Sequence, residues 1–391
     1  MKPISRRVQP IDSANAFQIW HQALELEKQG VEMIHLILGE PDFSTPDHIV
    51  TAATAALWAG RTKYGSVIGS HSFQQAAAAY FTRTRGINAR AEQIFPAPGV
   101  KALLFFSMLA LIDEGDELLL PDLSYPAYRE ILSIAGGREV EYRLDPARSF
   151  QPDIASIRAA ISPHTKAIIL NSPNNPTGSI IDEATTAALA ELVLANDLWV
   201  ILDEIYYQFS FDSQRPPSLF SYPGLMERTI LMDGLSKPYA MTGWRVGFAH
   251  FPAGLVDSIK RLLISGFSCL PPFIVDAATE ALTGPQDSVA ELTATYQARR
   301  DLMLPLLEGI DGLRPLRPAG AFYIWVDMQA LPAPGQFVEQ LLHQGVAVMP
   351  GSSFGPAGDD YFRIALTQPA PLLQAAAARI ERAVAAQYRS A

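Results

Sequence analysis

Residues 236–247 of this chain read S-K-P-Y-A-M-T-G-W-R-V-G, and they follow an apolar run at 229–232 that is typical of a buried strand. Lys237 therefore lies in a loop just after a strand, and Arg245 follows it beyond the flexible Gly243. A lysine amine forms a Schiff base with a carbonyl, and the planar guanidinium of arginine holds a phosphate. This stretch favours a binding site for a ligand that carries both a carbonyl and a phosphate, and an ordinary surface lysine is the alternative interpretation.

Short apolar runs alternate with helical stretches along most of the chain, which predicts parallel strands joined by helices. The runs lie at 94–97, 117–120, 139–142, 167–170, 199–202, 229–232 and 246–250. Because each run is almost continuously apolar, we expect a wide sheet that is covered on both faces. The predicted fold is α/β, with a seven-stranded, mostly parallel sheet flanked by helices.

The sequence pattern changes near residue 285. A long predicted helix at 288–307 leads into the strand-like segment G-A-F-Y-I-W-V-D, which predicts a smaller α+β domain. A helix predicted at 13–30, with Ser13 as its N-cap and Gly30 at its end, is expected to pack with that domain. We therefore predict a large domain at 46–285 and a discontinuous small domain formed by 1–45 and 286–391.

Composition limits the possible partners of the protein. Of the 391 residues, 49% are hydrophobic, which is enough for large buried cores. A formal charge of −10, without long basic runs, argues against nucleic acid or an anionic membrane as a partner. The single cysteine, Cys269, cannot form an internal disulfide, and the sequence has no signal-peptide pattern or bilayer-length apolar run. We expect a cytoplasmic enzyme and predict no metal site.

The informative motifs lie in loops just after predicted strands, which is where open α/β sheets bind their ligands. The first of these loops places Gly99, Val100 and Lys101 at the start of a predicted helix. Free backbone N–H groups at a helix start attract anions, so the loop is a candidate phosphate site. An ordinary strand-to-helix turn is the alternative interpretation.

Two further loops offer side chains for a planar ring. Tyr125 lies in the turn D-L-S-Y-P-A-Y at 122–128, where its ring either stacks on an aromatic ligand or packs in the core. The loop N-S-P-N-N-P-T-G at 171–178 is stiffened by two prolines, so that Asn175 can be held toward a ligand. Both loops follow apolar runs and are expected at the same edge of the sheet.

A carboxylate at the end of a buried strand is costly unless a cation accompanies it. Asp203 has this position, directly after the run at 199–202, and Tyr206 follows in the same D-E-I-Y loop. A protonated ring nitrogen of a ligand supplies such a cation. The shared placement of these loops therefore predicts one site.

Together these motifs resemble those of the pyridoxal-phosphate-dependent aminotransferases of class I/II, the fold type I family that includes the aspartate aminotransferases. The resemblance implies pyridoxal 5′-phosphate as the cofactor, with Lys237 as its Schiff-base lysine and Asp203 on its ring nitrogen. It implies that Asn175 and Tyr206 contact the phenolic oxygen, and it makes Lys237, Asp203 and Tyr206 the catalytic set. The residues implied to hold the phosphate are Gly99, Val100, Lys101, Ser236 and Arg245.

Three more segments extend the resemblance to almost the whole chain. Gly39 in L-G-E-P-D-F is implied to approach the substrate carboxylate. Arg363 in Y-F-R-I-A is implied to bind that carboxylate, with Asn175 beside it. Tyr64 in K-Y-G-S-V-I-G is implied to reach the cofactor phosphate of a neighbouring subunit, so the resemblance also implies a homodimer.

The implied reaction moves the amino group of an amino acid to a 2-oxo acid in two half-reactions, with Lys237 as the group that moves the proton. Other reactions of the same scaffold stay open as alternatives, namely β-elimination from a cysteine conjugate, formation of a cyclopropane amino acid, and decarboxylation. A non-catalytic regulatory protein is a further alternative. The sequence does not name the amino acid, because Phe322, Tyr323 and Trp325 either line a side-chain pocket or fill a core.

Overall fold

The computed structural model of the protein describes residues 5, 16–212 and 215–390. Its α-helices are α1 (Ala16–Lys28), α2 (Asp47–Trp58), α3 (His71–Arg85), α4 (Val100–Leu111), α5 (Ala127–Ala135), α6 (Ile154–Ala160), α7 (Glu183–Ala195), α8 (Val256–Phe267), α9 (Pro272–Thr283), α10 (Asp287–Glu308), α11 (Pro334–His343) and α12 (Ala370–Ser390). Its strands are β1 (Ile34–His35), β2 (Ile94–Ala97), β3 (Glu117–Pro121), β4 (Arg138–Tyr142), β5 (Leu144–Asp145), β6 (Gln151–Pro152), β7 (Thr165–Asn171), β8 (Trp199–Asp203), β9 (Thr229–Gly234), β10 (Gly247–His250), β11 (Arg314–Pro315), β12 (Tyr323–Asp327), β13 (Val346–Ala347), β14 (Met349–Pro350) and β15 (Tyr361–Ala365).

The central sheet has seven strands in the order β2-β10-β9-β8-β7-β3-β4. All neighbours are parallel except β10, which runs antiparallel to both β2 and β9. Each predicted apolar run falls in one of these strands, so the prediction of an α/β fold with a mostly parallel seven-stranded sheet is confirmed.

The apolar runs of the inner strands arise because helices cover both faces of the sheet. The edge strand β4 departs from the expected pattern, because its Glu139 and Glu141 are exposed. Along β8, Val200 and Leu202 point into one hydrophobic cluster, whereas Ile201 between them points into another. Successive strand residues face opposite sides, so a strand that is buried on both sides needs apolar residues at every position. This arrangement leaves the strand ends as the places where polar side chains can gather.

A second, four-stranded sheet has the order β11-β12-β15-β14, and all its neighbouring pairs are antiparallel. It shares a hydrophobic cluster with residues of α10, α11 and α12. The short strand β1 pairs in parallel with β13, which joins the N-terminal segment to this C-terminal region. The domain boundaries near 45 and 285 remain predictions.

The helices at either end of the chain compare closely with the sequence predictions. The helix predicted at 288–307 corresponds to α10, and the one predicted at 13–30 corresponds to α1. Gly30 follows the end of α1 with a φ of 92°, whereas the predicted N-cap Ser13 lies outside the described residues. Among the helices that the structure describes, none is both long and apolar enough to cross a membrane.

Candidate active site

A cavity of about 590 Å³ lies at the carboxyl ends of β7, β8 and β9. Eleven of the residues predicted from sequence line it: Gly39, Val100, Lys101, Tyr125, Asn175, Asp203, Tyr206, Ser236, Lys237, Arg245 and Arg363. Gly99 lies directly behind the lining, against the guanidinium of Arg245. Tyr64 is the exception, because it is 92% exposed and does not line this cavity.

One end of the cavity is a cradle for an anion at the start of α4. Gly99 is the N-cap of that helix and has a φ of 84°, and a Cβ there would lie 2.6 Å from Arg245 Nη2. A Cβ on Gly247 would lie 2.7 Å from the backbone nitrogen of Val100. Both positions therefore require glycine. Helix-start amides and a guanidinium facing one space form a site for a phosphate.

The Asp203 carboxylate lies at the end of β8 and is buried. The hydroxyl of Tyr128 donates to its Oδ2 at 2.7 Å, and the backbone N–H of Ile205 donates to its Oδ1 at 3.2 Å. Burial raises the pKa of Asp203 to about 6, although these two hydrogen bonds oppose the rise. A carboxylate in this environment favours a cationic partner.

The Lys237 amine lies in the same cavity and donates a hydrogen bond to the backbone oxygen of Gly39. Burial lowers the pKa of Lys237 to about 8, and the positive charges of Arg363 and Arg245 act in the same direction. The carboxylate of Glu40 opposes this shift. A lysine with a lowered pKa is suited to form a Schiff base and to exchange protons near neutral pH.

Arg363 lies in β15, and its side chain also lines the cavity. Its Nη1 donates to Asn175 Oδ1 at 2.7 Å, Nη2 donates to the backbone oxygen of Ile37, and the guanidinium carbon lies 4.1 Å from the centre of the Tyr323 ring. Its Nε is buried and has no hydrogen-bond partner among the described residues. An unsatisfied charged donor in a cavity indicates an anionic ligand group.

Two asparagines hold the loop after β7 in place. The side chain of Asn171 donates to the backbone oxygen of Asp203 at 2.8 Å and accepts from the backbone N–H of Asn175 at 2.8 Å. These bonds orient Asn175 into the cavity between β7 and β8. The two asparagines therefore have different functions: Asn171 holds the loop, and Asn175 lines the cavity.

Aromatic side chains form the remaining walls. The hydroxyls of Tyr206 and Tyr323 are 2.8 Å apart, and the rings of Tyr125 and Tyr128 meet edge to face with centroids 5.7 Å apart. The Lys101 amine lies 5.4 Å from the centroid of the Tyr125 ring. Tyr125 therefore lines the cavity and, being half-buried, also packs against the hydrophobic cluster on that side of the sheet.

Sequence reasoning left some of these residues unassigned. Tyr128 was quoted only as part of a turn, although it follows Tyr125 by three residues and a helix places such pairs on one side. Tyr323 lines the cavity, whereas Phe322 and Trp325 are buried in the hydrophobic clusters. Of the three aromatic residues, Tyr323 thus lines the cavity, and Phe322 and Trp325 fill the core.

The residues present fit pyridoxal phosphate. The cavity combines an anion cradle that any Cβ would fill, a buried carboxylate, an amine with a lowered pKa, and a guanidinium with a free donor. Within the described chain, no group of three or more metal-ligating side chains is close enough together to hold an ion.

Comparisons with known proteins agree with this geometry. Residues 31–380 match the family model described as aminotransferase class I and II. The arginine–pyruvate transaminase of Pseudomonas aeruginosa is 38% identical over 371 residues, which cover 94% of each chain. The aspartate/prephenate aminotransferase of Thermus thermophilus is 38% identical over 365 residues, which cover 92% of this chain and 93% of that protein. The aspartate aminotransferase structure from Rhizobium meliloti matches with a TM-score of 0.94 at 33% identity, covering 98% of this chain and 99% of that one.

All these relatives are named aminotransferases, and none of the names supports the alternative reactions. Enzymes of this family depend on pyridoxal phosphate, and the residues of the cavity fit this cofactor. The chain therefore belongs to the class I and II aminotransferases, and it transfers amino groups between amino acids and 2-oxo acids with pyridoxal phosphate as its cofactor.

Proposed function

We propose that the cavity at the ends of β7, β8 and β9 is the amino-transfer site and that its residues act as follows. When bound, pyridoxal phosphate supplies a carbonyl that condenses with amines and a ring that accepts electrons from the substrate α-carbon. The cradle of Gly99, Val100 and Lys101 holds the phosphate together with Ser236 and Arg245. The observation that carries the proposal is that the Lys237 amine, the Asp203 carboxylate and the Arg363 guanidinium line one cavity.

Asp203 keeps a proton on the ring nitrogen. Its carboxylate is buried with neutral donors on both oxygens, so a ring cation supplies the opposite charge that burial makes favourable. Tyr128 orients this carboxylate through the 2.7 Å hydrogen bond. Tyr206 and Asn175 present polar atoms to the phenolic oxygen from the two neighbouring loops.

Lys237 would bind the carbonyl carbon of the cofactor through its amine and would move the proton at the substrate α-carbon. With a pKa of about 8, a substantial fraction of its amine is neutral near physiological pH and can accept that proton. Gly39 accepts a hydrogen bond from the same amine, which directs it into the cavity.

Arg363 and Asn175 bind the α-carboxylate of the substrate. The guanidinium donates from Nη1 to Asn175 and from Nη2 to the backbone oxygen of Ile37, and it lies over the ring of Tyr323. Its Nε is the donor that is left for a carboxylate oxygen. A planar fork held in this way orients a planar carboxylate and places the α-carbon near Lys237.

An amino acid with a cationic side chain is our proposed donor substrate. The carboxylates of Glu40 and Glu130 line the cavity in addition to the groups assigned above. Opposite charges in a partly enclosed site favour such a side chain over a second carboxylate. The name of the arginine–pyruvate transaminase relative is consistent with this preference.

The active form is proposed to be a cytoplasmic homodimer in which Tyr64 reaches the phosphate of the other subunit. Two observations support the dimer: Tyr64 is 92% exposed, and Trp58 on the nearby helix α2 is 88% exposed. Large exposed aromatic side chains are enriched at subunit interfaces.

The test begins with borohydride reduction of the purified holoenzyme and mass analysis of its peptides. We expect the cofactor on the peptide that contains Lys237, and no such adduct in Lys237→Ala. A wild-type protein without the adduct would contradict the proposal.

A panel of amino acids with pyruvate and 2-oxoglutarate, scored for 2-oxo acid and for ammonia, then tests the substrate class. We expect arginine, lysine or ornithine to exceed aspartate and glutamate, and Glu130→Gln to reduce that preference. A preference for dicarboxylates would refute the cationic side chain but leave amino transfer standing.

A further inference from the structure

A buried group of charged side chains lies behind the active site. We call it the Arg85 cluster, and it consists of Arg85, Glu204 and Asp233. Arg85 Nε donates to the carboxylate of Glu204, and its Nη2 donates to Asp233 Oδ2 at 2.6 Å. The exposed fraction of the side chain is 0% for Arg85 and 1% for each carboxylate. Two carboxylates therefore share one guanidinium inside the protein.

Further contacts fix the orientation of this guanidinium. Its Nη1 donates to Thr84 Oγ1 at 2.9 Å, and its carbon lies 3.9 Å from the centroid of the Tyr207 ring. The Tyr80 hydroxyl donates to the same Asp233 oxygen at 2.9 Å. The planar fork of Arg85 is thus held by hydrogen bonds in its plane and by an aromatic ring on its face.

The Arg85 cluster joins the two strand ends that present the main catalytic groups. Glu204 directly follows Asp203 at the end of β8, and Asp233 lies in β9, shortly before the loop that carries Lys237. Because β8 and β9 are parallel neighbours, a single guanidinium can reach both ends. Arg85 links them from the side away from the cavity.

The backbone beside the Arg85 cluster has no spare room. Asp233 Oδ1 accepts from the backbone N–H of Gly234 at 2.7 Å. A Cβ on Gly234 would lie 2.9 Å from Ile205 Cδ1 and 3.0 Å from Val100 Cγ2. Gly234 thus lies in close contact with the loop after Asp203 and with the phosphate cradle, which is the route by which a shift of Asp233 would reach them.

Stability alone is a weak explanation for such a cluster, because apolar replacements of buried ion pairs are often neutral or stabilising. We propose that Arg85 is a positioning residue for amino transfer: by joining Glu204 to Asp233, it fixes the spacing between Asp203 and Lys237. The proposal rests on the roles proposed above for Asp203 and Lys237.

The variant Arg85→Lys tests this link, because lysine keeps the charge but lacks the planar fork. Arg300→Lys is a matched control. The side chain of Arg300 is also 0% exposed, donates to the carboxylates of Asp212 and Asp301, and lies over the Phe211 ring at 4.8 Å. It belongs to α10 and does not line the cavity.

Both holoenzyme variants are compared with the wild type in kcat, KM, the dissociation constant of pyridoxal phosphate, and urea unfolding. For Arg85→Lys we expect kcat to fall by roughly ten- to a hundredfold with KM little changed, since a misplacement of about 1 Å costs on the order of a hundredfold in rate. The dissociation constant should rise as well. Arg300→Lys should lose stability but keep the wild-type kcat and cofactor affinity.

The proposal is overturned if folded Arg85→Lys keeps the wild-type kcat and cofactor affinity, or if Arg300→Lys loses as much of both. Should Arg85→Lys fail to fold, Asp233→Asn takes its place, since it keeps the shape and weakens only one side of the link. A folded Asp233→Asn with unchanged kcat and cofactor affinity overturns the proposal, and reduced values support it. Borohydride fixation of the cofactor at Lys237 in the wild type separates the proposed function from the positioning role of Arg85. If fixation is absent, both proposals are overturned. If fixation is present but the Arg85 variant behaves as wild type, only the positioning role is overturned.

Discussion

Replacing Asp203 by asparagine should raise the stability of the cofactor-free protein and lower the activity of the reconstituted enzyme. Burial raises the pKa of the Asp203 carboxyl to about 6, against an ordinary value of 3.8. Each pKa unit corresponds to about 1.36 kcal/mol, so ionising this carboxyl costs about 3 kcal/mol more in the folded, cofactor-free protein than in the unfolded chain. Asp203→Asn removes that cost, because an amide carries no charge at any pH.

The geometry lets the amide keep both hydrogen bonds of the carboxylate. Its oxygen can accept from the backbone N–H of Ile205, as the present Oδ1 does at 3.2 Å. Its NH₂ group can donate to the Tyr128 hydroxyl, which now donates to Oδ2 at 2.7 Å. A hydroxyl both donates and accepts, so the pair of hydrogen bonds survives with one direction reversed. The Tyr128 O–H proton loses its acceptor, and this cost is the same at every pH.

The sign of the pH dependence follows from proton binding. The folded protein binds the Asp203 proton more tightly than the unfolded chain, so this group lowers stability as the pH rises from about 4 to about 6. The pH-dependent part of the advantage of Asp203→Asn should therefore be small near pH 4, about half its full size at pH 5, and about 3 kcal/mol at pH 8.

The assay is urea unfolding of cofactor-free protein at pH 5 and pH 8, together with the activity of the reconstituted enzyme, which we expect to fall steeply. Asp116→Asn is the control of opposite sign. Burial acts to raise the pKa of Asp116, but the hydrogen bond from Lys166 at 2.8 Å helps to lower it below its ordinary value. Loss of the Asp116 carboxylate should therefore reduce stability at pH 8. The reasoning is refuted if the stability of Asp203→Asn relative to the wild type is no greater at pH 8 than at pH 5.

Three further predictions concern the two ends of the cavity and the subunit interface. Gly99→Ala should weaken cofactor binding in a titration, because its Cβ would lie 2.6 Å from Arg245 Nη2. Gly60→Ala is the control for backbone strain alone, because Gly60 has a φ of 72° and its Cβ would have no atom within 4 Å. Arg363→Lys should lower kcat/KM by roughly ten- to a hundredfold in steady-state assays, since a hydrogen bond to a charged group contributes about 1.5–3 kcal/mol. Tyr64→Phe should weaken cofactor binding, and mixing it with Lys237→Ala should restore one strong site per mixed dimer; no restoration would contradict the exchange of Tyr64 between subunits.

The strands were predictable because burial on both faces leaves a local signal in the sequence. Apolar residues at every position, as in Val200 and Ile201, mark such strands without any knowledge of their neighbours. The direction of β10 was not predictable in this way. Apolar runs do not record whether a strand lies parallel or antiparallel to the next, and β10 is antiparallel to both neighbours.

The cavity residues were predictable where a motif follows a strand, and not where the contact is between distant segments. Asp203 ends an apolar run and attracts notice as a carboxylate in a costly position. Its partner Tyr128 is 75 residues away, and Arg85 is 148 residues away from Asp233. Neither Tyr128 nor Arg85 has a local pattern that names its partner, so only the fold reveals these pairs.

Burial shifts the pKa values of Lys237 and Asp203 in opposite directions, and both shifts reduce the stability of the cofactor-free protein at neutral pH. It lowers the pKa of Lys237 from 10.5 to about 8 and raises that of Asp203 from 3.8 to about 6. The stability lost at Asp203 returns only as the pH falls below 6, and that lost at Lys237 only as it rises above 8. Both groups are therefore charged, buried and costly in the range between. A cofactor that binds the folded state and brings opposite charges to the Asp203 carboxylate stabilises the protein most in that range. The burial that costs stability is also what gives Lys237 a pKa at which it can exchange protons during amino transfer.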